Sequence, residues 1–200
     1  MGAGGFQLLV NPVGDLAAAG AGVDRSSLPQ VADLPALDFP DVERATLSNG
    51  IPVTFARRAA VPVVDIAMAF DAGDAADPKD KLGTQALTLS LLDEGTEDRT
   101  AIEIAEAEER LGAGISAGSD LDTTTLSLSA LKINLGESLD LYADVVRNPK
   151  FDQAELQRVR DIQLARIDDE LKQPSSLALR LLPPLIYGEA HPYGAPLTGS

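Results

Sequence analysis

Nitrogen and sulfur metal ligands are scarce in this chain. It contains no Cys and a single His, His191, in the sequence His191-Pro192-Tyr193-Gly194. A catalytic zinc needs several imidazole, thiolate or carboxylate ligands, together with a base that activates the bound water. One imidazole beside a proline is more typical of a loop, so we expect no zinc site built from nitrogen and sulfur ligands here.

Carboxylates are abundant, and Asp71, Asp74, Asp77 and Asp80 recur at every third position. An EF-hand calcium loop instead places its acids at alternate positions and follows them with Gly. We therefore expect a solvated loop. No acid pair elsewhere is placed for catalysis, so a carboxylate-based hydrolase is the least favoured function.

The segment 83–94 is the most informative one, and it is followed by Gly95-Thr96. Its leucines cover most of a helix circumference, which predicts a deeply buried helix. Ala86, Leu89 and Ser90 have the spacing of the His, Glu and His of an inverted zinc-peptidase helix. A methyl and an isobutyl group cannot bind a metal or activate water, and a lone hydroxyl is a poor zinc ligand.

This frame resembles the Gly-x-x-His-x-x-Glu-His helix and closing Gly-Thr of the M16 peptidases, the insulinase/pitrilysin-like inverzincins. Other matching segments follow in the family's order: Leu47-Ser48-Asn49-Gly50, Leu111-Gly112, Asn148-Pro149 and His191-Pro192-Tyr193-Gly194. The family's distal Glu ligand would fall on Arg166, a cation. The resemblance implies that Ala86, Leu89, Ser90 and Arg166 are degenerate motif positions, with no catalytic or metal-binding residue in this chain.

The resemblance also implies a function. The chain would be an inactive excerpt from the second half of a bacterial tandem M16 protein. It would close a peptide chamber with a zinc-bearing homologous half, on the same polypeptide or on a separate subunit. The alternative is a structural or assembly subunit with no role in proteolysis. The bacterial periplasm is the compartment that the resemblance favours, and the cytoplasm stays open.

Composition limits the partners. Sixteen basic and 31 acidic residues give a net charge of −15, which repels phosphate backbones and disfavours nucleic-acid binding. No apolar run is long enough to span a membrane. The segment 1–10 has no basic residue, so it is not typical of a secretory signal.

The chain divides into three expected parts. Residues 1–13 resemble the terminal strand of a preceding domain, residues 14–40 are rich in Pro, Ala and Gly and predict a linker, and residues 41–200 predict the M16-like domain. That last part can be incomplete at its C-terminal end. Its first elements are a hairpin around Ser48-Asn49-Gly50 and a strand over 63–70.

The order of the later elements sets the fold class. A helix capped by Thr100 and Glu103, two paired strands around Ser119-Asp120, and three further helices predict an α+β domain. Its mainly antiparallel sheet would be covered by helices on one face, which the resemblance identifies as the LuxS/MPP-like metallohydrolase type. Extended peptides add to sheet edges, so Ile115, Ser116 and Ala117 are the candidate peptide-contact strand.

Overall fold

The computed structural model describes residues 39–196 and 198–199, which fall into two units divided between Arg57 and Arg58. The strand expected over 1–13 and nearly all of the linker expected over 14–40 lie outside the described residues. Strands and helices begin at Val42.

A hairpin forms the described part of the first unit. Strands β1 (Val42–Thr46) and β2 (Pro52–Ala56) are antiparallel, with Thr46 opposite Pro52. The turn is closed by a hydrogen bond from the Gly50 N–H to the Leu47 carbonyl, 2.9 Å. Gly50 has a φ of 88°, which an L side chain rarely adopts. The predicted Asn-Gly hairpin is therefore confirmed.

The second unit is built on a three-stranded antiparallel sheet. It comprises β3 (Val63–Phe70), β4 (Gly114–Ser119) and β5 (Thr124–Leu131), in the spatial order β3-β5-β4. Ile115 of β4 and Ile66 of β3 both pair with Leu128 of the central strand. The predicted strands and the α+β class are confirmed, and β4 is an edge of this sheet.

The core lies on one face of the sheet because alternate residues of a strand point the same way. Leu126, Leu128 and Ala130 of β5 are buried, whereas Ser129 and Leu131 are exposed. Helices α2 (Ala101–Leu111) and α3 (Leu135–Arg147) pack against the core face. The core cluster consists of Leu92, Ile104, Leu126, Leu128, Ala130, Tyr142 and Val145. Each large apolar side chain buried there stabilises the fold by about 1.5–3 kcal/mol.

Local sequence signals set the limits of α2. The Thr100 hydroxyl accepts from the Glu103 N–H, and the Glu103 carboxylate accepts from the Thr100 N–H, which completes the predicted capping box. Gly112 ends the helix in the left-handed region, at φ 60°.

Helix α1 (Thr84–Leu89) is shorter and less buried than the sequence indicated. Beyond it the chain tightens, since Leu91 and Leu92 donate to carbonyls only three residues earlier. This tightening directs both Leu91 and Leu92 into the interior, where they are 4% and 9% exposed. The helix itself contains no buried residue, so the predictions of a helix to residue 94 and of deep burial were wrong.

Helices α4 (Gln153–Lys172) and α5 (Pro174–Tyr187) follow. Asp152 caps α4 by accepting a hydrogen bond from the Ala154 N–H. Pro183 and Pro184 lie inside α5, although proline usually interrupts a helix. The helix is exposed along most of its length, so water can satisfy the carbonyls that lose a donor, and the Gly188 N–H bonds to the Pro184 carbonyl beyond them.

The aspartate-rich loop before α1 is not simply solvated. Asp74 begins a short 3-10 helix, is 9% exposed, and accepts from the Ser119 hydroxyl at 2.8 Å. The Asp77 carboxylate accepts from the Gly83 and Gln85 N–H groups, at 2.7 and 2.9 Å. The prediction failed because these two acids serve as internal hydrogen-bond acceptors, and Asp77 caps the first turn of α1.

Across the described ranges, none of the helices has both the length and the apolar character needed to cross a bilayer.

A buried carboxylate fixes the loop that follows α1. Asp144 of α3 accepts from the Thr96 hydroxyl at 2.9 Å, from the Asn148 amide at 3.0 Å, and from the Arg99 guanidinium. Thr96 is 2% exposed, and its oxygen also accepts from the Arg99 N–H. Burial alone would raise the pKa of the Asp144 carboxyl, but these hydrogen bonds outweigh burial and lower the pKa below its ordinary value.

Asp144→Asn is expected to lower the free energy of unfolding at pH 7 by about 1–3 kcal/mol, because a charged acceptor of three donors becomes a neutral amide. The native pKa is depressed, so the contribution of Asp144 is complete at neutral pH and disappears as pH falls below about 4. Denaturant unfolding from pH 7 to pH 3 measures both effects.

The exposed Asp140→Asn on the same helix is the control, and its stability should follow that of the wild type. A pH profile of Asp144→Asn parallel to the wild-type profile would contradict the assignment.

Candidate functional site

A cavity of about 450 Å³ lies beside the edge strand of the second unit. Four elements border it: α1 with the turn that follows, β4, the middle of β5, and α3. Its lining residues are Ala86, Leu89, Ser90, Leu92, Asp93, Glu94, Ile115, Ser116, Ala117, Gly118, Ser119, Leu126, Tyr142, Val145 and Val146. The degenerate helix positions and the candidate peptide-contact strand therefore border one space.

The cavity has an apolar floor and a polar rim. Leu126, Tyr142 and Val145 are buried in the core beneath it. The Tyr142 hydroxyl donates a hydrogen bond to the Leu126 carbonyl at 2.9 Å. Ser90 and Asp93 are exposed at the rim. Such a floor accepts aliphatic or aromatic groups, while the rim can bind polar ones.

The backbone of β4 has one paired side and one open side. Antiparallel geometry directs Gly114, Ser116 and Gly118 toward β5, because the pairing continues to the hydrogen bond from the Asp120 N–H to the Thr123 carbonyl. Ile115, Ala117 and Ser119 then direct their N–H and C=O groups away from β5. Within the described second unit, no ladder partner faces this edge.

Glu108 covers the beginning of that edge. Its carboxylate accepts from the Ile115 N–H at 2.6 Å, so the first outward amide is already satisfied. The outward groups from Ala117 onward stay available for pairing. The sequence gave no signal for this contact, since Glu108 looks like any solvent-facing acid of an amphipathic helix.

The charges at the rim are acidic. Arg158 of α4 forms an ion pair with Glu94, which neutralises that carboxylate. Although Asp93 is exposed as a residue, partial desolvation of its carboxyl raises the pKa of that group; its own backbone N–H and Arg158 oppose the shift, and Glu94 adds to it. Sequence reasoning missed both acids because it confined the site to positions 86, 89 and 90, and both acids lie after them, just before the closing Gly95-Thr96.

The comparisons with known proteins agree with this architecture. The family model described as "Insulinase (Peptidase family M16)" matches residues 53–198. That range is more than half of the chain.

The chain belongs to peptidase family M16.

Individual relatives match at low identity. The chain is 26% identical over 143 residues to a probable mitochondrial-processing peptidase subunit beta of Arabidopsis thaliana, covering 72% of this chain and 27% of the relative. It is 25% identical over 117 residues to the "Non-peptidase homolog YmxG" of Helicobacter pylori, covering 58% and 27%. The chain thus spans about a quarter of the length of these relatives.

A solved structure has the same fold. The peptidase M16 inactive domain from Pseudomonas fluorescens superimposes with a TM-score of 0.73 at 29% identity, over 80% of this chain and 39% of that one. The M16 fold class is therefore shown by sequence and by structure.

The residues at the M16 motif positions do not fit zinc. Ala86 and Leu89 are half-buried hydrocarbons at the cavity wall. The Ser90 hydroxyl donates to the Ala86 carbonyl at 2.9 Å, so its proton is used within the helix. In the part of the chain that the structure describes, no cluster of three or more His, Cys, Asp or Glu could hold a metal ion.

Arg166 lies apart from the other three positions. It does not line the cavity but a separate depression on α4 and α5, and its Nε is 3.5 Å from the Glu170 carboxylate. A guanidinium repels a divalent ion and offers it no lone pair. We therefore derive no metal-dependent step for this domain.

Placing His at both positions 86 and 90 tests this geometry. The Ser90 N–H bonds to the Ala86 carbonyl at 3.1 Å, so the two side chains lie one turn apart on one face. The double variant Ala86→His/Ser90→His should bind roughly one equivalent of Co²⁺ or Zn²⁺, as expected for two imidazoles on one face. Visible absorption of Co²⁺ reports the binding.

Ala86→His/Thr88→His supplies the same imidazoles on different faces and should bind far more weakly. Equal binding by both double variants would show that α1 does not have the described orientation. Stoichiometric zinc on the wild type would contradict the conclusion that its residues do not fit zinc.

Proposed function

We propose that this chain is a non-catalytic M16 domain that closes a peptide chamber with a zinc-bearing homologous half and supports that half in peptide or protein degradation. The observation that carries the proposal is a cavity beside an open sheet edge that is bordered by motif positions unable to bind zinc. Helix α1 still borders the β4 edge, but its side chains at positions 86, 89 and 90 supply neither ligand nor base.

The named relatives support this proposal. One neighbour in fold is called an inactive M16 domain, one sequence relative is called a non-peptidase homolog, and another is called one subunit of a processing peptidase. In this arrangement the zinc belongs to the partner half, on the same polypeptide or on a separate subunit. This chain forms part of the chamber wall, confines the substrate and provides the surface that contacts the partner half.

Peptide would bind by strand addition to β4. The outward backbone groups of Ala117 and Ser119 provide one donor and acceptor set, and the cavity beside them receives a side chain. Backbone pairing gives affinity without demanding a sequence, while the cavity adds selectivity. Ile115 contributes mainly side-chain contact, because Glu108 occupies its N–H.

Cleavage assays with a quenched fluorescent peptide test the proposal directly. We expect no zinc-dependent hydrolysis by this chain alone. The zinc-bearing M16 half from the same genome should show higher activity when this chain is present. Stoichiometric zinc with unaided hydrolysis by this chain would overturn the proposal.

The alternative, a structural or assembly subunit, predicts that the partner's hydrolysis is unchanged by this chain. Unchanged turnover, measured where the two halves are shown to associate, would favour the alternative.

Ala117→Pro is expected to weaken binding of an extended peptide by about tenfold. Proline has no backbone N–H, so the variant loses the hydrogen bond that Ala117 would donate to the peptide and that would help to fix the peptide's register. The sheet should remain folded, since proline is tolerated where an edge N–H faces away from the ladder. Fluorescence anisotropy with a labelled peptide in EDTA measures the affinity.

Ala67→Pro is the matched control. Ala67 of β3 pairs with Ser127 of β5. Its N–H is directed away from β5, at the edge of the sheet opposite to β4. The Ala67→Pro variant should bind peptide with the affinity of the wild type. Equal losses in both variants would indicate a general effect on the sheet and would contradict strand addition at β4.

A further inference from the structure

Helix α5 has the reverse of the usual arrangement of apolar and charged side chains. Its exposed side carries six large apolar residues: Leu179, Leu181, Leu182, Leu185, Ile186 and Tyr187. Leu179 is 70% exposed and Leu185 is 81% exposed. A surface helix normally places polar or charged groups on that side, so this face of α5 has the composition of a contact surface.

The one charged residue of α5 is directed into the protein instead. The Arg180 side chain is 12% exposed, and it donates to the Glu170 carboxylate at 3.0 Å and to the Thr198 hydroxyl at 2.8 Å. Rotation of α5 to bury its leucines would break both contacts and leave a charge without its partner. The ion pair therefore fixes the apolar face of α5 toward solvent.

The apolar face of α5 is large. Its six exposed side chains offer roughly 600 Å² of apolar surface, at the upper end of the largest patch that a typical monomer exposes. Each partner in a standard protein interface contributes about 800 Å². This helix alone thus supplies most of the area that a stable dimer needs from each copy.

The chemistry of the face fits a second copy of itself. An aliphatic surface without charge is self-complementary, as a two-fold symmetric contact requires. Leu179, Leu182 and Ile186 lie at helical spacing along one row. Antiparallel packing of two α5 helices would place the middle of that row, Leu182, near the symmetry axis.

A lipid surface fits this face less well. Helices that bind membranes flank their apolar face with Lys and Arg, whereas Arg180 is directed inward. The net charge of −15 also repels anionic headgroups. A protein of different chemistry would be recognised through complementary polar groups, which the exposed row of α5 does not offer.

We propose that α5 forms the contact surface of a symmetric dimer, in which the apolar face of one copy packs on the same face of the second. Among the described residues that line the cavity beside β4, none belongs to α5. The dimer is therefore separate from the proposed peptide site and does not depend on it.

Sedimentation equilibrium of the whole chain measures the association. Between about 1 and 200 μM the wild type should be a reversible mixture of monomer and dimer, as expected for an interface slightly below standard size. A wild type that stays monomeric over this range overturns the proposal. Open-ended oligomers also overturn it, because a two-fold contact closes at two copies.

Leu185→Glu should raise the dissociation constant of the dimer at least about tenfold, because each dimer would bury two carboxylates without partners. Ile133→Glu is the matched control, since Ile133 is 88% exposed in the short turn between β5 and α3. It should associate like the wild type. An unchanged dimer in Leu185→Glu, or equal losses in both variants, overturns the proposal.

A single introduced thiol reports the geometry of the contact, because the chain contains no Cys. Under mild oxidation, Leu182→Cys should form a disulfide-linked dimer at least about tenfold faster than Ile133→Cys, whose thiols meet only by collision. Similar rates in the two variants contradict a contact centred on Leu182.

Salt and lipid distinguish the other possible occupants. Raising NaCl from about 50 to 500 mM should tighten the wild-type dimer, because salt screens the repulsion between two acidic chains. Dissociation at high salt would indicate an ionic contact and overturn the proposal. Binding of the wild type to phosphatidylcholine vesicles, lost in Leu185→Glu, would assign the face to lipid instead. Should Leu185→Glu not fold, the thiol rates and the salt response decide.

Discussion

Antiparallel pairing leaves every second residue of an edge strand with its N–H and C=O directed away from the sheet, and β4 presents such an open edge beside the cavity. An open edge is a hazard for aggregation, so proteins cover it or use it. Here Glu108 covers the first outward amide. Within the residues that the structure describes, the groups from Ala117 onward face the cavity without a ladder partner.

The walls of the cavity are held by polar contacts. Asp77 caps the first turn of α1, and Asp144 holds the loop after it through Thr96 and Arg99. Both carboxylates accept hydrogen bonds from backbone or side-chain donors in place of water, so each stabilises one particular position of the helix. The shape of the cavity therefore depends on the position of α1, whereas zinc binding would depend on the side chains at positions 86, 89 and 90.

Sequence reasoning succeeded where a short-range rule determines the structure. The Asn49-Gly50 hairpin, the Thr100 capping box and the alternation of β5 each depend on neighbouring residues, and all three are present. The positions on α1 followed from the family frame and those on β4 from the tendency of peptides to add to sheet edges, and the structure shows that both sets border one cavity.

The errors concern contacts between distant residues. Asp74 pairs with Ser119, and Glu108 with Ile115, which no periodicity encodes. The early end of α1 depends on burying Leu91 and Leu92 against the core, a tertiary effect that overrides helical propensity. The prolines of α5 are tolerated for a different reason: water at an exposed helix satisfies carbonyls that a buried helix would have left unpaired.

Amide exchange at β4, followed residue by residue by NMR in EDTA with and without an extended peptide, tests the central claim most directly. A domain that binds peptide by strand addition without metal predicts slower exchange at Ala117 and Ser119 when peptide is present, with Ile115 changed little. Unchanged exchange along β4 at saturating peptide, or protection that appears only when zinc is added, would contradict the account.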